Sequence, residues 1–123
     1  MLMLAASGVR VFEHIEEQLK AKPKFVVLKP VYEELVKLAS SEQSLIKKRA
    51  SFALELVRRF CELVDYPCSP NMPVDDVIIK YALEEKAIVA TNDKELRAKL
   101  RKLGIPQAYL REEAMRVVVE GYL

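Results

Sequence analysis

The chain has 123 residues, of which 51% are apolar and 31% are charged, and this balance excludes a disordered chain and predicts one globular domain spanning residues 1–123. The formal net charge is only +2, so any affinity for nucleic acid must come from local patches. Residues 1–6 are apolar but lack a basic leader and are too short for a signal peptide or a membrane span, which predicts a cytoplasmic location and no membrane partner.

Helical and strand patterns alternate along the chain. Helices are predicted from Ser7 or Gly8 to before Pro23, and then at 30–39, 42–59, 74–85 and 93–103, while strands are predicted at 25–28, 61–65, 87–90 and 107–110. The tail at 111–123 fits either a helix or an added edge strand. This order predicts an α/β fold of three layers, a central, mainly parallel sheet flanked by helices, in which strands 25–28, 61–65 and 87–90 are parallel neighbours.

Two cysteines, Cys61 and Cys68, have no CxxC spacing, and the chain holds one histidine. Zinc ligation is therefore disfavoured, and two thiols are favoured over a disulfide.

Three acidic residues recur just beyond strands: Glu34, Asp75 and Asp93. Because the carboxyl ends of parallel strands meet at one edge of a sheet, we expect these carboxylates to lie together. Hard oxygen ligands without histidine or cysteine select Mg²⁺ or Mn²⁺. The pattern predicts a metal site suited to phosphodiester chemistry.

Each acidic residue also has a structural interpretation. Carboxylates at a helix start stabilise the helix dipole, and Asn92 followed by Glu95 has the spacing of a capping box. Glu34, near Pro30, fits a solvated first turn. Where Asp75 and Asp76 stand together, one can cap the helix while the other faces the cleft, so the convergence of three carboxylates is what favours metal binding.

Three runs of sequence carry a resemblance to a known family. They are Val-Asp-Asp-Val-Ile-Ile-Lys-Tyr-Ala at 74–82, Ile-Val-Ala-Thr-Asn-Asp-Lys-Glu-Leu at 88–96 and Leu-Gly-Ile-Pro-Gln-Ala-Tyr-Leu-Arg at 103–111. Together with Pro-Val-Tyr-Glu-Glu-Leu-Val-Lys-Leu at 30–38, they resemble PIN-domain nucleases, in particular the archaeal group related to the ribosomal-RNA-processing PIN endonucleases.

The resemblance implies a metal-dependent endoribonuclease acting on RNA, in which Glu34, Asp75 and Asp93 are the catalytic metal ligands. Thr91 and Asn92 then have supporting roles, with Asp76 as a neighbour. Two alternatives stay open: a non-catalytic RNA- or protein-binding module in ribosome assembly, and a toxin-type ribonuclease.

One departure from the family concerns its first strand, which ends in an Asp-x-Asn motif whose Asp is a principal metal ligand. No acidic residue precedes Glu13 here, so we expect that strand and its aspartate to be missing, either because Met1 is an internal methionine of a longer protein or because the chain is a degenerate member. We expect weakened metal binding, impaired cleavage and association into a homo-oligomer.

Basic residues suggest where RNA would bind. Lys94, Arg97 and Arg101 share one face of the helix after Asp93 and are predicted to contact phosphates, with a solvated face as the alternative. Two further basic groups, at 47–49 and 58–59, lie on the long helix, and for these a solvated face is favoured over RNA binding.

Overall fold

The structure, a computed structural model, describes residues 11–20 and 22–121. Its elements follow the order α1 (Val11–Leu19), β1 (Phe25–Leu28), α2 (Lys29–Ala39), α3 (Ser44–Phe60), β2 (Cys61–Val64), α4 (Val74–Glu85), β3 (Val89–Ala90), α5 (Lys94–Lys102), β4 (Gln107–Arg111), a 3₁₀ turn (Glu112–Ala114) and β5 (Arg116–Glu120). The predicted α/β class, with parallel strands flanked by helices, is confirmed. The predicted start of the first helix, at Ser7 or Gly8, lies outside the described residues.

The chain divides into two compact units. One consists of Pro23–Pro67, and the other holds the described residues before Pro23 together with those from Cys68 onward. The prediction of one domain spanning residues 1–123 stays a prediction.

The Pro23–Pro67 unit contains β1, β2, α2 and α3. Strands β1 and β2 are parallel, with Phe25 opposite Cys61 and Leu28 opposite Val64. Pro30 stands in the first turn of α2, where its fixed φ suits a helix and its missing N–H costs no hydrogen bond. The apolar sides of the two helices and of β1 then bury one small core, formed by Val27, Leu35, Ala53 and Val57.

The other unit contains a three-stranded sheet in the order β3-β4-β5. Strand β3 is parallel to β4, with Val89 opposite Gln107, and β5 runs antiparallel to β4. Helices α4 and α5 bury their apolar faces in a core of Ala82, Val89, Leu96, Leu100 and Ile105. Of the two alternatives for the tail, the added edge strand is confirmed.

Helix α1 covers the outer edge of β5 with polar side chains. The Val117 N–H donates to His14 Nδ1 at 3.1 Å, and the Val119 N–H donates to Gln18 Oε1 at 2.7 Å. The Gln18 side-chain amide also donates to the Val117 carbonyl. These side chains satisfy main-chain groups that would otherwise be left open on an edge strand, so they protect the edge against pairing with another chain.

One topological prediction is wrong for the described residues. Strand 87–90 was expected beside 25–28 and 61–65, but the described strands form two separate sheets, β1-β2 and β3-β4-β5. The short β3 pairs with β4 instead, because the Val89 N–H donates to the Pro106 carbonyl and the Thr91 N–H to the Ala108 carbonyl.

Two smaller observations bear on the earlier predictions. Cys61 and Cys68 are free thiols, as predicted. Among the described residues, none of the helices is both long and apolar enough to cross a membrane.

Candidate active site at the carboxyl end of strand β3

The turn that follows β3 holds Thr91, Asn92 and Asp93 in place by hydrogen bonds. The Thr91 N–H donates to the Ala108 carbonyl at 2.9 Å, and the Asp93 N–H donates to Thr91 Oγ1 at 3.1 Å. Asn92 Oδ1 accepts the Leu110 N–H at 2.8 Å. The turn is therefore attached to β4 through both its main chain and the Asn92 side chain, which orients the residue that comes next.

Asp93 is the N-cap of α5. Its Oδ1 accepts the Leu96 N–H at 3.0 Å, and its carbonyl accepts the Arg97 N–H at 2.9 Å. The side chain is exposed, and its second oxygen, Oδ2, is the atom that could bind a cation. Asp93 thus has the structural role that the sequence left open as an alternative to metal binding, and one carboxylate can have both roles.

The predicted capping box starting at Asn92 is wrong. The N-cap is Asp93, and the Asn92 side chain is directed to the Leu110 N–H of β4 instead. A capping box requires the N-cap side chain to bond within its own helix, which the Asn92 side chain does not do.

Asp75 lies in the first turn of α4 and is half-buried, whereas Asp76 beside it is exposed. The helix starts after Pro73, whose carbonyl accepts the N–H groups of Asp76 and Val77 at 3.0 and 3.1 Å. Proline has no polar side chain with which to cap the helix. The negative charges of the two aspartates instead stabilise the start of α4, because they lie at the positive end of the helix dipole.

Glu34 is exposed on α2, next to Leu35, whose side chain is buried in the core of the Pro23–Pro67 unit. Asp75 and Asp93 belong to the other unit. The predicted convergence of these three carboxylates stays a prediction.

The donor chemistry of these residues fits a hard divalent cation. Asp75, Asp93 and Glu34 provide carboxylate oxygens, the ligand type that Mg²⁺ and Mn²⁺ prefer. Within either unit, however, the described residues bring together no group of three histidine, cysteine, aspartate or glutamate side chains that could hold a metal ion.

Two of the three basic residues predicted to contact RNA are engaged within the protein. Arg97 Nε donates to Gln107 Oε1 at 2.7 Å, and its guanidinium lies 3.6 Å from the centre of the Tyr109 ring. Arg101 Nε donates to Glu120 Oε1 at 3.0 Å, and this hydrogen bond holds the pKa of Glu120 below its usual range. Lys94 is exposed, so it is the cation of the three that is most available to a phosphate.

Gln107 is a structural residue that the sequence analysis missed. It is the buried polar side chain of the described residues, only 1% exposed, and its Nε2 donates back to the Arg97 carbonyl at 3.1 Å. The pair therefore attaches α5 to β4 at the level of the turn. A glutamine at the start of an otherwise apolar strand was the available signal.

Comparisons with known proteins show which proteins this chain is similar to. A family model described as a PIN like domain matches residues 1–113. Ribonuclease VapC4 of Methanocaldococcus jannaschii is 37% identical over 114 residues, covering 85% of each chain. Ribonuclease VapC9 of Archaeoglobus fulgidus is 37% identical over 97 residues, covering 79% of this chain and 67% of that protein.

A solved structure described as that of the PIN domain endonuclease Utp24 is also similar. Its TM-score is 0.75 at 26% sequence identity, and the match covers 99% of this chain and 85% of the other.

Proposed function

The chain belongs to the PIN-like domain family, and on that premise we propose that it is a metal-dependent endoribonuclease that hydrolyses phosphodiester bonds in RNA. The names of its relatives support a nuclease of the PIN class. The observation that carries the proposal is how Asp93 is held after β3: its N–H donates to Thr91 Oγ1, its Oδ1 accepts the Leu96 N–H, and its Oδ2 is left for a ligand. A metal ligand needs such preorganisation, because the rate of metal-assisted hydrolysis depends on where the ligands hold the ion.

In this proposal Glu34, Asp75 and Asp93 hold Mg²⁺ or Mn²⁺. When bound, the ion supplies Lewis acidity and neutralises negative charge on the phosphate. The chain's own residues do the positioning: Thr91 and Asn92 fix the turn that carries Asp93, and Lys94 binds a flanking phosphate as a sequence-independent contact.

Two biological settings fit an RNA-cleaving member of this family. The sequence resemblance favours ribosomal-RNA processing, while the two relatives named VapC ribonucleases favour the toxin-type alternative. A non-catalytic RNA- or protein-binding module is the third candidate. These settings differ in their substrates, so cleavage-site mapping on total archaeal RNA separates them: one or two sites in ribosomal RNA precursors support processing, and cuts in mature transfer or ribosomal RNA support a toxin.

We also propose that the 123-residue chain cleaves weakly. Its first aspartate is Asp65, so the principal aspartate of the family's opening motif has no counterpart among the carboxylates named above. Fewer carboxylates give a weaker site for a divalent ion, because affinity rises with ligand charge.

The experiment measures cleavage of a labelled RNA with Mn²⁺, with Mg²⁺ and with EDTA. We expect metal-dependent cleavage that Asp75→Asn and Glu34→Gln each reduce by at least tenfold, whereas Asp76→Asn, a matched exposed neighbour, leaves more than half of it. Cleavage that persists in EDTA, or that neither Asp75→Asn nor Glu34→Gln alters, would contradict the proposal. RNA binding with no cleavage under any condition would favour the non-catalytic module.

A further inference from the structure

Helix α3 concentrates positive charge as strongly as α5 does, but without the partners on β4 and β5 that engage Arg97 and Arg101 of α5. It contains five cations, Lys47, Lys48, Arg49, Arg58 and Arg59, and a single carboxylate, Glu55. The net charge of this one helix is +4, whereas that of the whole chain is +2, so the remaining residues are together net negative. A chain with such an asymmetry has a local electrostatic preference for a polyanion that its net charge conceals.

Four of the five cations of α3 are free to bind a ligand. All five are exposed. Among the described residues, the ion pair on this helix joins Arg58 to Glu55 at 3.4 Å, and Lys47, Lys48, Arg49 and Arg59 have none. Their charge is therefore not neutralised within the protein.

Large apolar side chains are exposed between these cations. Phe52 is 52% exposed and Leu45 is 59% exposed. They are seven positions apart, so they lie on one face of the helix, with Lys48 and Arg59 on one side of Phe52 and Arg49 on the other. The opposite side of the helix is buried through Ala53 and Val57. We call the exposed residues Leu45, Lys48, Arg49, Phe52 and Arg59 the α3 face.

We propose that the α3 face binds single-stranded RNA, with Lys48, Arg49 and Arg59 on phosphates and a base stacked on the Phe52 ring. Proteins that bind single strands combine a positively charged track with aromatic side chains in this way. From Lys48 to Arg59 the helix rises about 16 Å, enough for a track of several nucleotides. This surface goes beyond the proposed function, since none of its residues is a proposed metal ligand and binding to it requires no cleavage.

RNA fits the α3 face better than other occupants do. A second copy of the chain, docked through the same face, would bring like charges together, which is unfavourable. An acidic amphipathic helix needs a groove for its apolar side chains, but the α3 face is the convex surface of one helix. A flexible strand of phosphates and flat bases needs only cations and a ring.

The test measures the fluorescence anisotropy of a labelled oligouridine at several salt concentrations in EDTA, so that binding is read without cleavage. We expect Lys48→Gln combined with Arg49→Gln and Arg59→Gln to weaken binding at least tenfold. The slope of log affinity against log salt should become shallower by about 2, because each phosphate contact on a single strand contributes about 0.7. The matched control is Lys37→Gln with Lys99→Gln and Lys102→Gln, three exposed cations elsewhere, and it should stay within about threefold.

The aromatic contact is tested separately. Phe52→Ala should weaken binding by about tenfold, which is about 1.4 kcal/mol and within the range of base stacking on an aromatic ring, and Phe52→Tyr should restore it because the ring is kept. Leu45→Ser should have no effect on RNA binding. Circular dichroism checks that each variant is folded; if the triple variant is not, Arg59→Gln and Phe52→Ala decide.

Three results would overturn the proposal. The first is equal affinity of the α3 triple variant and its control. The second is an affinity that Phe52→Ala leaves unchanged. The third is poly-glutamate binding as tightly as oligouridine with dependence on Leu45, which would assign the face to an acidic protein. Oligouridine binding that depends on the α3 face, together with cleavage that Asp75→Asn leaves unchanged, would count against the carboxylate site alone, so the two proposals fail separately.

Discussion

Asp93 Oδ1 accepts the Leu96 main-chain N–H at 3.0 Å, so the residue proposed as a metal ligand is also the N-cap of α5. Capping uses one oxygen and needs no negative charge, since asparagine caps helices as well as aspartate does. Metal binding needs the charge. The two roles of Asp93 are therefore separable by substitution.

We predict that Asp93→Asn changes the free energy of unfolding by less than about 0.5 kcal/mol, while Asp93→Ala lowers it by about 1 kcal/mol through loss of the cap. Both should lower metal-dependent cleavage of RNA by at least a hundredfold. Urea denaturation measures the first quantity and a labelled-RNA assay the second. If the Asp93→Asn variant cleaves RNA at the same rate as the unsubstituted chain, Asp93 caps the helix and is not a metal ligand.

Asn92 provides the second test of the turn. Its Oδ1 accepts the Leu110 N–H at 2.8 Å, and Asn92→Ala removes that acceptor. Because Asn92 is exposed, water replaces it and we expect a loss of only about 0.5–1.5 kcal/mol in the free energy of unfolding.

Cleavage in Asn92→Ala should fall by more than this stability loss explains, because the turn that positions Asp93 is no longer attached to β4. Asn92→Asp, which keeps an acceptor oxygen, should retain more activity than Asn92→Ala. Equal activity in the two variants would show that the hydrogen bond to Leu110 does not position the site. Amide exchange of Leu110 gives an independent reading of the bond.

Local interactions explain why parts of the fold were predictable from the sequence. Helix α4 was predicted at its observed bounds, because its acidic start and apolar period are encoded within it. Strand β3 was predicted to begin at Ala87 but begins at Val89. The chain leaves α4 through Lys86 at φ 53, and the Ala87 N–H donates back to the Ala82 carbonyl. Residue 87 therefore completes the helix end and cannot pair in a sheet.

Long-range contacts explain what the sequence did not reveal. Asp93 as a helix cap was a stated alternative, since the cap lies three residues from its partner. The bonds from Asn92 to Leu110 and from Arg97 to Gln107 join residues 18 and 10 positions apart, and no periodicity marks them. For the same reason, the basic residues of α5 could be assigned to one face but not to their partners on β4 and β5.

Gln107 should contribute to stability through its two hydrogen bonds with Arg97. Its side chain is buried, and both its oxygen and its nitrogen are paired. Gln107→Ala should lower the free energy of unfolding by about 2–3 kcal/mol, because it opens a cavity and removes both bonds.

Arg97→Ala should lower the free energy of unfolding by about 1–3 kcal/mol, since it leaves a buried acceptor on Gln107 without a donor. In a double-mutant cycle measured by urea denaturation, the two losses should not add. Additive losses would show that the two side chains act independently.

The Cys61 thiol gives a pH-dependent prediction. Burial raises its pKa to about 11, and the side chain lines a mostly apolar groove of about 260 Å³ formed by Tyr32, Leu54, Val57, Arg58, Cys61 and Leu63. Since the unfolded chain ionises near pH 8.5, the folded state disfavours the thiolate. The resulting stabilisation is complete below pH about 8.5 and is lost as the pH rises toward 11.

Thiol labelling measures this shift directly, because only the thiolate reacts. The variant Cys68→Ser leaves Cys61 as the single cysteine. At pH 8, Ellman's reagent should label Cys61 about a hundredfold more slowly in the folded protein than in the protein unfolded in guanidinium, where the thiol has its ordinary pKa. The folded rate should then rise about tenfold per pH unit up to the raised pKa. A folded pH–rate midpoint near 8.5 would mean that Cys61 is solvated and that the groove beside α3 is open to water.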